Sequence, residues 1–344
     1  MLETDEEIKT LNYCVHAIED LKETKALLEH SAPQSAAILE NIIYMLKSSV
    51  KFILPNCCSL IDPSDLKQSH LDLVKLPFHC TAFEVPWNSD EQSPEFIGDF
   101  KQTLATKRIA LCWDTDYDFE PIPSLRSQIL DFFPEGGIFL VPLYWGPEQN
   151  KWSVTMGGSF LPYGGIARSI GTYQQLPATK IAYAAKKESG HLGKNPLEFK
   201  AEPFYLLPEL FEASVSYYGD RDKAFGQIIL DSHDEMMVLI QACSVINCEN
   251  IKTYSIPAPI ALNKKREKKG KQPFFSYKVL QLLENSGSNV KPGSGGTHAN
   301  PRMHLRRGHL RRLADKVIWV RPAIINSNSR EGVVVKDYSL VKKP

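Results

Sequence analysis

Apolar side chains recur at helical spacing over the first fifty residues. Ile8, Leu11, Val15 and Ile18 make one stripe, and Ile38, Leu39, Ile42, Met45 and Leu46 make a second. Between them lies Ser31–Ser35, with Pro33 at its centre. Proline is tolerated in the first turn of a helix but not in its interior. The pattern predicts a helical hairpin over residues 1–60, its second helix running to Pro55. Its expected uses are a structural cap and a homodimer contact.

From residue 70 the period changes. Thr81–Pro86, Arg108–Trp113, Gly137–Tyr144 and Lys151–Thr155 are short runs rich in β-branched and aromatic residues, bounded by Pro, Gly, Asn and Asp. Gly146–Asn150 is placed as a hairpin loop between the last two. Helices do not alternate regularly with these strands, so a curved antiparallel sheet is expected rather than a doubly wound parallel one. Leu206–Tyr217 and His233–Ile246 return to helical spacing. The second is almost wholly apolar and is expected to be buried, with Ser232 as its N-cap. Residues 70–250 are thus expected to form an α+β core, in which His79 and Cys80 fall in an apolar strand and should be buried.

A third module is expected over residues 251–344. Ile251–Ile256 and Phe274–Leu283 have strand character, Lys264–Lys271 reads as a basic loop, and residues 284–297 form a Gly/Ser-rich connection. The runs 317–325 and 332–340 then complete a small, basic antiparallel sheet. The predicted fold class is α+β: helical hairpin, β-rich centre, basic C-terminal sheet.

Charge changes this picture. The chain has 40 Lys+Arg and 40 Asp+Glu. Residues 251–344 hold 20 basic and 5 acidic residues, leaving 20 and 35 to residues 1–250, so the two parts carry +15 and −15. Such asymmetry points to a polyanionic partner, nucleic acid above all, with mutual docking of the two parts or an acidic protein as alternatives.

Seven cysteines, none paired as C-x-x-C, fit a reducing cytoplasm. The acidic start does not read as a signal peptide, and no apolar run is long enough to span a bilayer, so no membrane contact is expected. Asp114-Thr-Asp-Tyr-Asp118 begins like a calcium loop, but Phe119 stands where the loop needs Gly and Leu125 where it needs Glu. Gly157-Gly-Ser and Gly164-Gly-Ile lack the Lys-Ser/Thr of a phosphate loop. No metal or cofactor is expected.

The candidate chemistry lies in His298–Leu313, where Arg302, Arg306, Arg307, Arg311 and Arg312 stand among His298, His304 and His309. Asn300-Pro301 would suit a helix start, but Gly308 argues for paired strands with a turn at Leu313–Lys316. Guanidiniums stay charged and fit phosphate oxygens. Histidine can carry a proton to or from a ribose hydroxyl. The stretch can therefore grip phosphate. In the stronger form it cleaves RNA without a metal, His304 and His309 acting as acid and base while Arg306, Arg307 and Arg311 hold the phosphate. Further nucleic-acid contacts are expected at Lys264, Lys265, Arg266, Lys268, Lys269, Lys271, Arg302 and Arg312, with Tyr277 and Tyr338 as outward rings for base stacking.

Asn263–Pro273, Tyr277–Leu280, Pro301–Arg311 and Val317–Val320 together resemble a signature of uncharacterised phage- and prophage-encoded proteins, weakly echoed by Leu76–Glu84 and Lys336–Tyr338. The resemblance implies a setting in phage–host conflict or phage regulation and carries no activity with it. The small basic sheet is also similar, in general character, to the cores of toxin ribonucleases.

Overall fold

The computed structural model describes residues 9–62, 66, 68–88, 95–102, 104–163, 168–169, 177–190, 197–198, 201–248 and 250–282, and beyond them 303–306, 309–313, 316–320, 323–325 and 333–334. The chain opens with α1 (Tyr13–Leu28) and α2 (Pro33–Ser48), with Pro33 at the start of the second helix as expected. That helix does not reach Pro55. It stops at Ser48, and Val50–Ile53 forms strand β1. The run Val-Lys-Phe-Ile suits a strand, and pairing on both sides outweighs the continuing helical period.

A 3-10 turn (Asn56–Cys58) and one-turn helix α3 (Gln68–Leu71) lead to β2 (Cys80–Pro86). The hairpin β3 (Phe96–Ile97) with β4 (Phe100–Lys101) precedes β5 (Lys107–Asp114), α4 (Leu125–Phe132), β6 (Gly137–Gly146), β7 (Lys151–Val154) and β8 (Gly157–Pro162). Next come β9 (Arg168–Ser169), α5 (Pro177–Glu188), β10 (Leu197–Glu198), β11 (Glu202–Tyr205), α6 (Pro208–Tyr218), α7 (Arg221–Asp231) and α8 (His233–Ile246). They are followed by β12 (Ile251–Ile256), α9 (Ile260–Glu267) and β13 (Tyr277–Leu282). The short strands β14 (Met303–Arg306), β15 (His309–Arg312), β16 (Val317–Val320), β17 (Ala323–Ile325) and β18 (Val333–Val334) come last.

The fold is α+β, centred on a nine-stranded sheet in the order β11-β8-β6-β5-β2-β1-β13-β12, with β7 paired to β6 as a hairpin. Its middle is antiparallel, as expected. The exception is β1, which runs parallel to both β2 and β13. The sheet also continues across residue 251: β12 and β13 belong to it, and β14–β18 lie in separate small sheets.

Both faces of the sheet are covered, which explains why its central strands are nearly continuous apolar runs. Cys80 and Ala82 of β2, Ile109, Leu111 and Trp113 of β5, and Phe139, Val141 and Leu143 of β6 face α1 and α2. Phe83, Val85, Ala110, Cys112, Ile138 and Leu140 alternate with them and meet α8 on the other face. The stripes of the hairpin, Cys14, Ile18 and Leu21 with Leu39, Ile42 and Leu46, are buried against the sheet. Burial of α8 is as expected. Ser232, however, does not cap it by side chain; its Oγ donates back to the Ile228 carbonyl at the end of α7. Gly157 and Gly158 open β8 because side chains have no room there. A Cβ would stand 2.4 Å from Ile228 Cδ1 at the first and 2.3 Å from the Leu140 carbonyl oxygen at the second.

One buried carboxylate ties the two ends of the described chain together. Glu84 on β2 is fully buried and accepts from the backbone N–H of Tyr13 (3.0 Å) and Cys14 (2.8 Å), the first turn of α1. It thus replaces a local N-cap, which Asn12 does not supply. Its third donor is the Tyr277 hydroxyl on β13, at 2.9 Å. Burial raises the Glu84 pKa against these hydrogen bonds, which favour the anion. Lys51, also buried, donates to the carbonyls of Lys47 and Ser49 and lies 3.7 Å from the centroid of the Phe275 ring. Burial lowers its pKa.

Candidate functional site

The basic residues expected to contact phosphate begin on α9. The expected basic loop is a helix from Ile260 to Glu267, closed by a turn at Gly270, whose φ of 65° lies in the left-handed region that glycine enters without strain. Lys264, Lys265, Lys268, Lys269 and Lys271 are all exposed along this helix and turn. Glu267 is the acid among them. None of the five forms an ion pair with an acid among the described residues.

Arg266 differs from its neighbours. Its Nε donates to the Gln272 carbonyl at 2.6 Å and its guanidinium pairs with Glu19 of α1, also at 2.6 Å, while its plane lies 4.4 Å from the centroid of Phe274. It is a strut between α9 and the helical hairpin, with Nε and one terminal nitrogen committed inward, unlike the free phosphate contact expected of it. The same turn is held by Asn263, whose side chain donates to the Phe274 carbonyl and accepts from the Phe274 N–H.

Tyr277 requires a second correction. Expected to face outward for base stacking, it is 1% exposed, and its hydroxyl is the Glu84 donor described above. Burial, then the Glu84 charge, pushes its pKa far above the ordinary phenol value. The ring on this side that does face solvent is Tyr254, on β12. That strand is the outer one at its end of the sheet, with Lys252, Thr253, Tyr254 and Ser255 exposed beside it. Lys252 and Tyr254 were not among the expected site residues. Their signal was the polar, non-alternating interior of Ile251–Ile256, which reads as a strand with no buried face.

The described residues of the Arg/His stretch, 303–306 and 309–312, form paired strands rather than a helix. His309–Arg312 pairs antiparallel with Val317–Val320, setting His309 opposite Val320 and Arg311 opposite Ile318, and the Leu313 N–H closes the turn onto the Lys316 carbonyl at 2.7 Å. Met303–Arg306 pairs with β17, placing His304 opposite Ile325 and Arg306 opposite Ala323, and runs parallel to β18. His304 and His309, the expected acid and base, therefore belong to different strand pairings. Arg312 is the last residue of β15. Arg302, Arg307 and Tyr338 lie outside the described residues.

A separate charged cluster sits where α7 meets α8. Arg108 on β5 pairs with Asp234 at 2.7 Å and with the fully buried Glu235 at 2.8 Å, beneath the Trp87 ring. Asp231, at the end of α7, accepts from Gln227 at 2.6 Å. Burial, reinforced by Glu235, pushes its pKa up to about 7 against the Gln227 hydrogen bond and Arg108. For Asp234, burial works upward but Arg108 outweighs it and holds the carboxyl well below the usual range. Glu235 is raised by burial. The cluster binds helices to sheet. Among the described residues no group of three or more His, Cys, Asp or Glu side chains could hold a metal ion, and no helix is long and apolar enough to cross a membrane.

No protein-family model, no curated protein and no solved structure matches the chain.

Proposed function

We propose that the protein binds nucleic acid, RNA or DNA, through the basic residues of α9 and its closing turn and those of the Arg/His-rich stretch. The observation that supports this most is the contrast along α9. Arg266 is committed to Glu19, while five lysines within the same helix and turn remain exposed. Five ammonium groups within eight residues repel one another, and phosphates can offset that repulsion at each of them. Outer strand β12 adds Lys252 and Tyr254, a cation and a ring of the kind that hold a phosphate and a base. The setting that the sequence resemblance implies is phage–host conflict or phage regulation, and the cysteine usage fits a reducing cytoplasm.

Metal-independent cleavage of RNA by His304 and His309 with Arg306, Arg307 and Arg311 is the stronger form of this reading. Binding is preferred because the two histidines fall in different strand pairings. Equilibrium binding of labelled single-stranded RNA, single-stranded DNA and duplex DNA at low salt tests the proposal. Saturable binding to at least one is expected, and absence of binding to all three contradicts it. EDTA in the RNA reaction reads the enzymatic form: cleavage that persists in EDTA and is abolished by His309→Ala supports it, and intact RNA removes it.

A further inference from the structure

Four rings line one end of the sheet. Tyr44 lies on α2, His79 immediately precedes β2, and Tyr117 and Phe119 follow β5. Their centroids form an unbroken row, with 6.5 Å from Tyr44 to Phe119, 5.4 Å from Phe119 to His79 and 5.9 Å from His79 to Tyr117. Tyr44 is 55% exposed and Tyr117 48%, while Phe119 is half-buried and packs on the core behind. His79, expected to be buried, is exposed because β2 begins only at Cys80. Other large apolar side chains are exposed elsewhere in the chain, Phe132 and Tyr217 among them, but this row places four rings in succession at one edge of the core, and a contiguous aromatic surface of that kind suits a contact.

The same segment fixes the charge of that surface. Residues 114–120 are Asp-Thr-Asp-Tyr-Asp-Phe-Glu, four acids with no base among them. Asp114 turns inward and accepts from the Tyr163 hydroxyl and the Asp116 N–H. Asp116, Asp118 and Glu120 stay exposed around the rings. Arg126 offsets part of this: its guanidinium is 3.9 Å from Asp118, the limit of an ion pair, and its Nε is given to the Thr115 carbonyl. Lys75, 5.7 Å from the Tyr163 ring, adds a second positive charge near Asp114; the three exposed carboxylates still outnumber these two cations.

Rings edged by carboxylates suit a cation that can lie flat. Guanidinium is planar and weakly hydrated, stacks on aromatic faces, and offers a two-pronged donor to a carboxylate. An ammonium meets the charge but not the stacking, and a phosphate backbone is repelled by the three carboxylates. We propose that the row Tyr44, Phe119, His79 and Tyr117, with Asp116 and Asp118, is a docking surface for an arginine-rich peptide segment. It does not depend on nucleic-acid binding elsewhere in the chain.

Fluorescence anisotropy of a labelled peptide with the sequence of residues 301–313, which holds five arginines, titrated with the full chain, tests this. Among the described residues no side chain covers Tyr44 or Tyr117, which are 55% and 48% exposed. Saturable binding is expected, weakened about tenfold by Tyr44→Ala with Tyr117→Ala and to a similar degree by Asp116→Asn with Asp118→Asn, and severalfold when every arginine of the peptide is replaced by lysine. Glu212→Gln with Asp222→Asn, which removes the same two charges from α6 and α7, should change it less than about twofold. No binding, equal loss in this control, or full affinity in both ridge variants would overturn the proposal. Displacement of the peptide by single-stranded RNA from the wild-type chain but not from residual sites in the ridge variants would do so as well, by showing nucleic acid on the ridge. The substituted side chains are exposed apart from Asp222, which is half-buried, and circular dichroism checks that each variant is folded; the Asp pair carries the test should a Tyr variant unfold.

Discussion

Arg266 and Lys265 are neighbours on one helix, yet they belong to different parts of the molecule's physics. The first is held by a carboxylate, a carbonyl and a ring, and joins α9 to α1. The second points into water with Lys264, Lys268, Lys269 and Lys271. The same division runs through the whole described chain. Glu84 and Arg108 are buried charges whose partners come from other segments of the chain, and they hold the layers together; Lys51 is buried too, held by the nearby carbonyls of Lys47 and Ser49 and by the distant Phe275 ring. The five lysines of α9 and its closing turn form no ion pair among the described residues. Charge that serves folding here is satisfied inside the chain, and the proposed function gives the run of exposed lysines a partner from outside.

Removing charge from the first class should break the fold. Glu84→Ala deprives two α1 N–H groups and the Tyr277 hydroxyl of their acceptor, and should lower stability by about 3–5 kcal/mol in urea unfolding. Removing it from the second class should break binding alone. Replacing Lys264, Lys265, Lys268, Lys269 and Lys271 together by Gln should cut nucleic-acid affinity by on the order of a hundredfold at moderate salt while leaving the melting temperature within a few degrees.

Asp231 sharpens the comparison through pH. Its folded pKa of about 7 stands above the ordinary carboxyl value of about 3.9. The folded state therefore binds the proton more tightly, and stability falls as the pH rises through this window and levels off above it. In Asp231→Asn that loss should be missing, so wild type should lose melting temperature relative to the variant between about pH 4 and pH 7. A difference that stays flat across this range would contradict the assignment. The smallest effect is expected at Arg266→Ala, with about 1 kcal/mol lost from its partly exposed pair and ring contact, and nucleic-acid affinity lowered less than by any single α9 lysine change.

Local signals were legible and distant partners were not. The strands at 80–86, 107–114 and 137–146, the hairpin to 151–154 and the apolar helix at 233–246 follow directly from period and turn residues. Helix α7 was not expected, although Gly219, which ends α6, and Asp220, which caps the next helix through the N–H groups of Asp222 and Lys223, are signals for it. The end of α2 was hidden because Val50–Ile53 continues the apolar helical period, and pairing with β2 and β13 decides its state. Nothing near Tyr277 indicates that it faces inward; its partner Glu84 is 193 residues away. Arg266 is likewise indistinguishable in sequence from the lysines around it, and its partner Glu19 is 247 residues away. The basic character of the site was readable from composition, but which of its charges are free was decided by tertiary structure.

The central claim is that the exposed lysines of α9 neutralise phosphates. The most direct measurement is the slope of log affinity against log salt for one labelled oligonucleotide, taken for the wild-type chain, the five-lysine variant and Arg266→Ala. Each phosphate that is no longer neutralised should make the slope shallower by about 0.7–0.9, so the five-lysine variant should change it by several times that amount and Arg266→Ala by almost nothing. Equal slopes for the wild-type chain and the five-lysine variant would contradict it.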